Sequence, residues 1–249
     1  VNRIAQGLLM VLLGAAALSC TLASDLYLNY VQPAFRPFLV GAGAVLLVLG
    51  VIAIVADMRA ADGGGREHDG HGDDGHGHDH ARGPGVAWLL LLPVVAVFAV
   101  APPALGAYSA ATGAAAAPPA EADAAALGDL GTEAAAGEPV EMELQEFVMR
   151  AWTDEERAMA GREIELTGFA VPNPEGEGWY LARLQMACCA ADAIVNRVLI
   201  TDEPEPDKDS WWTVRGTWVE PEGDLQAVRD HRIEVETMSE VADPPDPYE

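Results

Sequence analysis

Cysteine, histidine and carboxylate side chains are the residues of this 249-residue chain best suited to chemistry, and two segments concentrate them. The first is Met186-Ala187-Cys188-Cys189-Ala190-Ala191-Asp192-Ala193. If this small-residue stretch forms a helical turn, Cys188 and Asp192 share a face. Two thiols and a carboxylate then make part of a site for zinc or another soft metal, with His231, Asp202 or a second subunit supplying the remaining ligands. Two other readings stay open. Adjacent cysteines can close a strained disulfide that acts as a redox switch, or they can pack as small apolar residues. The second segment reads His-Asp-Gly-His-Gly-Asp-Asp-Gly-His-Gly-His-Asp-His over 68–80 and holds His68, His71, His76, His78 and His80. Imidazole and carboxylate suit Zn, Ni or Cu, and the glycines let a chain wrap around an ion. The spacing is irregular, so a flexible charged linker is the competing reading. With His231 the only histidine outside this loop, no nucleophile–base pair is apparent, and the chain reads as a non-catalytic protein.

The elements that must carry these groups follow from the distribution of charge. Mean hydropathy is slightly positive, at +0.11, although 39 acidic residues face only 14 basic ones. The two properties separate along the chain. Residues 1–120 hold 8 acids and 5 bases, and residues 121–249 hold 31 acids and 9 bases. A net charge of −25 excludes nucleic acid as a partner, because that contact needs clustered Lys and Arg. Uncharged apolar runs over 4–22, 38–56 and 86–105 each have about 20 residues, enough to cross about 30 Å of hydrocarbon. They predict three transmembrane helices over residues 1–106, with the His-rich loop 57–85 between the second and third. Their Gly and Ala content, as at Gly14 and at Gly41–Ala44, suits close helix packing in lipid. Arg36 lies in the first loop, Arg59, Arg66 and Arg82 in the second, and no further Lys or Arg occurs before Arg150. By the positive-inside rule the N-terminus and the 57–85 loop are cytoplasmic, and the C-terminal half is extracytoplasmic. The chain is thus expected to be a multi-pass protein of the cell membrane.

Residues 107–139 are mostly Ala, Gly, Pro and acids, a composition that predicts a disordered tether. The remaining 140–249 form a β-rich domain. Leu144, Phe147, Val148 and Ala151 recur at helical spacing over 141–152. Strands are predicted over 163–169, 179–186, 197–201, 211–219 and 232–241, with Gly216 at a bulge or bend. Five short strands with interior glycines fit a small OB-like barrel, with a β-sandwich as the alternative. The fold class is therefore an α+β membrane protein, three N-terminal helices plus a C-terminal OB-like domain.

Several segments together carry a family resemblance. They are Tyr30-Val31-Gln32-Pro33, the His-rich loop, Ala101-Pro102-Pro103-Ala104-Leu105-Gly106, Gly168-Phe169, Arg183-Leu184, Cys188-Cys189-Ala190-Ala191-Asp192-Ala193 and Trp212-Thr213-Val214-Arg215-Gly216. With these the chain resembles the YcgQ-like permease subunits over nearly its whole length outside the Ala-rich linker. The resemblance implies a partner, a larger YcgR-like permease, and no known substrate or catalytic residue. The expected function is that of an accessory subunit of a permease complex that handles a divalent metal such as zinc. A tethered thiol/disulfide switch and a protein-recruiting anchor are the alternatives.

Overall fold

The computed structural model describes residues 3–63, 104–119, 138–174 and 176–242, with 92, 95, 96, 130, 244 and 248 as isolated positions. It divides into two compact units, Val1–Pro103 and Ala104–Glu249.

The first unit contains two apolar helices, α1 (Arg3–Leu18) and α2 (Arg36–Gly63). A wide π-turn over Ser19–Ala23 continues α1, and the buried Thr21 hydroxyl donates to the Ala17 carbonyl at 2.8 Å. Arg36 donates back to the Thr21 carbonyl at 3.2 Å and lies 5.8 Å from the centre of the Tyr27 ring, so one cation closes the loop between the helices. Glycine sets how closely the helices approach. A Cβ on Gly14 would stand 2.6 Å from the Gly43 carbonyl, and one on Gly50 2.7 Å from the Gly7 carbonyl. These pairs recur every seven residues, two helical turns, on one face of each helix. Gly41, from the same sequence motif, meets nothing within 4 Å. The runs Ile4–Ala23 and Pro33–Ala60 are long and apolar enough to cross a membrane. The described residues therefore contain two such helices instead of the three expected. The third span, over 86–105, falls almost entirely outside them, as does the whole His-rich loop.

The second unit is a mixed six-stranded sheet. It comprises β1 (Val140–Glu141), β2 (Glu163–Pro172), β3 (Trp179–Gln185), β4 (Ile194–Ile200), β5 (Trp211–Val219) and β6 (Arg232–Glu240). The order is β1-β2-β3-β4-β6-β5, and β2 also pairs with β5. The long strand β2 serves both neighbours in turn, pairing with β5 over Glu163–Phe169 and with β3 over Phe169–Pro172. The expected OB-like barrel does not close. Between β4 and β6 the pairing is a single parallel step, Leu199↔Arg232, too little for a continuous hydrogen-bonded wall. Gly216 sits at the register shift between β5 and β6, where a Cβ would stand 2.1 Å from the Glu234 carbonyl oxygen.

Alternation along the strands creates two apolar layers. The main core lies between the sheet and helix α4 (Leu144–Thr153), with Phe147, Val148 and Trp152 against Ile164, Leu166, Leu181 and Ile200. The other face, with Phe169, Val171, Tyr180, Ala182, Leu184 and Val195, is covered by helix α3 (Ala107–Thr112). That helix corrects the disordered tether expected from residue 107. Ala107 and Ala110 are buried against the strands, and residues 114–116 bond Val195 in both directions, at 3.0 and 2.8 Å. Alanines contribute little area each, but they fit flush against a flat strand face.

Candidate functional site

Strands β3 and β4 are joined by a loop over 186–193, and this loop carries the cysteine pair. Ala190–Asp192 forms one turn of 3₁₀-helix with Cys189 as its N-cap. The turn is fixed reciprocally. The Asp192 carboxylate accepts from the backbone N–H groups of Ala187 (3.0 Å), Cys188 (2.8 Å) and Cys189 (3.3 Å), and the Cys189 sulfur accepts from the Asp192 N–H. This is a capping box with sulfur in the usual place of a hydroxyl. Its effect is to place the three candidate ligands together. Cys188 Sγ lies 3.4 Å from Cys189 Sγ, and both thiols and the carboxylate lie within 4.8 Å of one another. Cys188 is exposed, and Cys189 and Asp192 are half-buried.

The electrostatics follow from that packing. The Cys188 thiol is pushed up to about 12, chiefly because it donates to the Asp192 carboxylate and next because it donates to Cys189. Asp192 is held below the usual carboxylate range, first by that S–H bond and then by the three backbone N–H groups, with burial opposing. Cys188 therefore rests as a neutral thiol beside an ionised carboxylate. A cation held there would have to displace the Cys188 thiol proton and would meet a negative charge already in place. Two sulfurs bound to zinc at about 2.3 Å and the tetrahedral angle stand about 3.8 Å apart. The sulfurs stand 3.4 Å apart, so a zinc ion held by both would require them to open by about 0.4 Å.

The other expected ligands do not join this group. His231 is 2% exposed, between the rings of Trp152 at 6.0 Å and Trp218 at 5.9 Å, and neither ring nitrogen has a hydrogen-bond partner. Burial depresses its pKa to about 4, with the neighbouring Asp230 opposing. Asp202 accepts from the Val235 N–H at 2.7 Å and braces β6. His68, His71, His76, His78 and His80 lie outside the described residues. Among the described residues, Cys188, Cys189 and Asp192 are the one group of three with metal-ligand chemistry.

Sequence reasoning missed two features around this site. One is the strap of residues 104–116, which reaches Val195 at the foot of the cysteine loop; the i, i+3 alanines 107 and 110 are its only trace in the sequence. The other is a half-buried polar group: Asp230 accepts from Arg197 at 2.7 Å and from the Tyr180 hydroxyl at 3.4 Å, with the Arg197 guanidinium 4.1 Å from the Tyr180 ring centre.

Fold and site together define a two-part protein, an apolar helical region followed by an acidic mixed-sheet domain that displays a thiol–thiol–carboxylate loop. The chain belongs to the DUF1980 family: residues 7–113 match the DUF1980 N-terminal domain and residues 125–249 the DUF1980 C-terminal domain. No curated protein and no solved structure matches it. This membership is coarser than the likeness to YcgQ-like permease subunits and names no permease.

Proposed function

We propose that the chain is a membrane-anchored accessory subunit that captures a thiophilic divalent metal ion, zinc first, and offers it to a permease. One observation carries the metal reading: Cys188 Sγ, Cys189 Sγ and the Asp192 carboxylate converge within 4.8 Å on an exposed loop whose backbone is locked by the same carboxylate. The apolar runs Ile4–Ala23 and Pro33–Ala60 support the anchor, and arginine placement supports an extracytoplasmic C-terminal domain. The permease partner rests on the YcgQ-like resemblance alone. A three-ligand site open to solvent can exchange its ion, which suits delivery better than storage.

The test is zinc uptake by the purified full chain in detergent, measured by titration and elemental analysis. Wild type is expected to bind at the cysteine loop, and Cys188→Ser/Cys189→Ser to lose at least tenfold in affinity for that site. Equal uptake by both removes the cysteines from the site. The thiol/disulfide switch is the second reading, favoured by the 3.4 Å separation of the sulfurs. It is opposed by the raised Cys188 thiol, since disulfide exchange proceeds through the thiolate. Two free thiols, counted by mass after alkylation under oxidising conditions, would remove it.

A further inference from the structure

Tyr108 is 72% exposed, and among the described residues of 104–249 it is the one large hydrophobic side chain left exposed. It projects from α3, the short helix by which the chain enters the domain. Lys208, the only lysine in 249 residues, places its Nζ 5.6 Å from the centre of the Tyr108 ring. The partly buried Trp211 and Tyr248 belong to the same apolar layer as α3, together with Leu105. Arg183 joins them, its guanidinium 5.3 Å from the Trp211 ring centre and donating to the Tyr248 carbonyl at 3.0 Å. The Tyr248 hydroxyl accepts from the Leu105 N–H at 3.2 Å. Among the described residues, a domain with 31 acids to 9 bases thus places its one exposed tyrosine beside the chain's one lysine where its chain begins, over an apolar layer in which Arg183 is already engaged.

We infer that Tyr108 and Lys208 form a contact surface for the headgroup layer of a zwitterionic phospholipid bilayer. Tyr prefers that layer because its ring has an apolar body and a polar edge, and Lys reaches from it toward phosphate, which Tyr108 and Lys208 are both exposed to do. Chain length agrees. The apolar run 86–105 ends at Leu105, and Tyr108 follows three residues later, between about 4.5 Å along a helix and about 10 Å extended. The headgroup layer on each side of the hydrocarbon is about 5–7 Å thick. The local acids set the lipid class. Asp209 is engaged, its carboxylate accepting from the Ala107 N–H at 2.5 Å, but Asp207 is exposed and the domain is strongly acidic, so anionic headgroups are repelled. The inference rests on reading the apolar runs as spans and is independent of the metal site.

The test uses the full chain in phosphatidylcholine nanodiscs, in a Cys20→Ala/Cys188→Ser/Cys189→Ser background. A fluorophore is attached through Tyr108→Cys or, as a control, through Gln226→Cys at an exposed position elsewhere on the domain. Headgroup spin-labelled lipid is expected to quench the label at 108 at least twofold more than the label at 226. The same contrast with the label placed through Lys208→Cys guards against a local effect of losing the tyrosine. A chain retained in nanodiscs with 108, 208 and 226 equally unquenched overturns the contact and leaves the membrane reading standing. A chain that nanodiscs do not retain overturns the reading beneath the contact, and the contact with it.

Discussion

His231 and Cys188 are both held uncharged, for opposite reasons. The imidazole is starved of solvent between two indoles, and the thiol stands at the surface but shares its proton with a carboxylate. The histidine gives a pH dependence of definite sign. Its folded pKa, about 4, lies below the ordinary value of 6.5. Above pH 6.5 both folded and unfolded chains carry it neutral. Between 6.5 and about 4 only the unfolded chain takes the proton, so stability falls with falling pH across that window and levels off below it. The full effect is roughly 3 kcal/mol at most. Protonating carboxylates relieves repulsion over part of the same range, so the quantity to measure is the difference between wild type and His231→Phe. The variant is expected to be neutral to stabilising at pH 7, since no hydrogen bond is lost, and to widen its advantage toward pH 4 in chemical denaturation. A constant difference across pH would contradict the burial argument.

Elements were more legible in the sequence than their assembly. The strand runs read from period-two alternation agree with β2, β3, β4, β5 and β6 to within a few residues, and Gly216 does mark a bulge. Helix α4 agrees with the Leu144–Phe147–Val148–Ala151 spacing. Alternation reports which face of a strand is buried; it does not report how many steps a strand shares with each neighbour. Closure therefore failed at β4–β6, where one pair forms. Strap 104–116 leaves little trace in the sequence because its buried residues are alanines, too small to mark an apolar face by composition. The cysteine turn was legible as a shared face of Cys188 and Asp192, but the carboxylate's grip on three N–H groups was not, since it depends on the extended backbone of Cys189. In the helix pair, the glycines have unequal weight. Gly14→Val would push a branched side chain into the Gly43 carbonyl, a clash of about 1–3 kcal/mol, and is expected to lower the thermal midpoint in detergent by about 5 °C or more. Gly41→Val meets nothing within 4 Å and is expected to leave it unchanged. Circular dichroism of the full chain separates the two, and equal midpoints would place the helix contact elsewhere.

At the scale of the whole molecule, charge is divided unevenly. The 31 acids after residue 120 outnumber the 9 bases, and several of those bases are already spent in pairs such as Arg150–Glu146, Arg157–Glu220 and Arg197–Asp230. The remainder repel one another. Screening contracts from about 30 Å at 0.01 M salt to about 8 Å at 0.15 M, so repulsion across the domain is damped over that range. Near-UV melting of the C-terminal domain is expected to move upward by a few degrees between 10 and 150 mM KCl. A downward shift would mean that the ion pairs outweigh the net repulsion.

The single step between β4 and β6 leaves a slit in the sheet, and Arg197 and Asp230 act as a fastener across it. The amide proton beside that slit, on Leu199, whose N–H donates to the His231 carbonyl at 2.9 Å, should therefore trade with heavy water sooner than those midway along β2. Cutting the fastener with Asp230→Asn should hasten that trade locally while the helical region keeps its own pace.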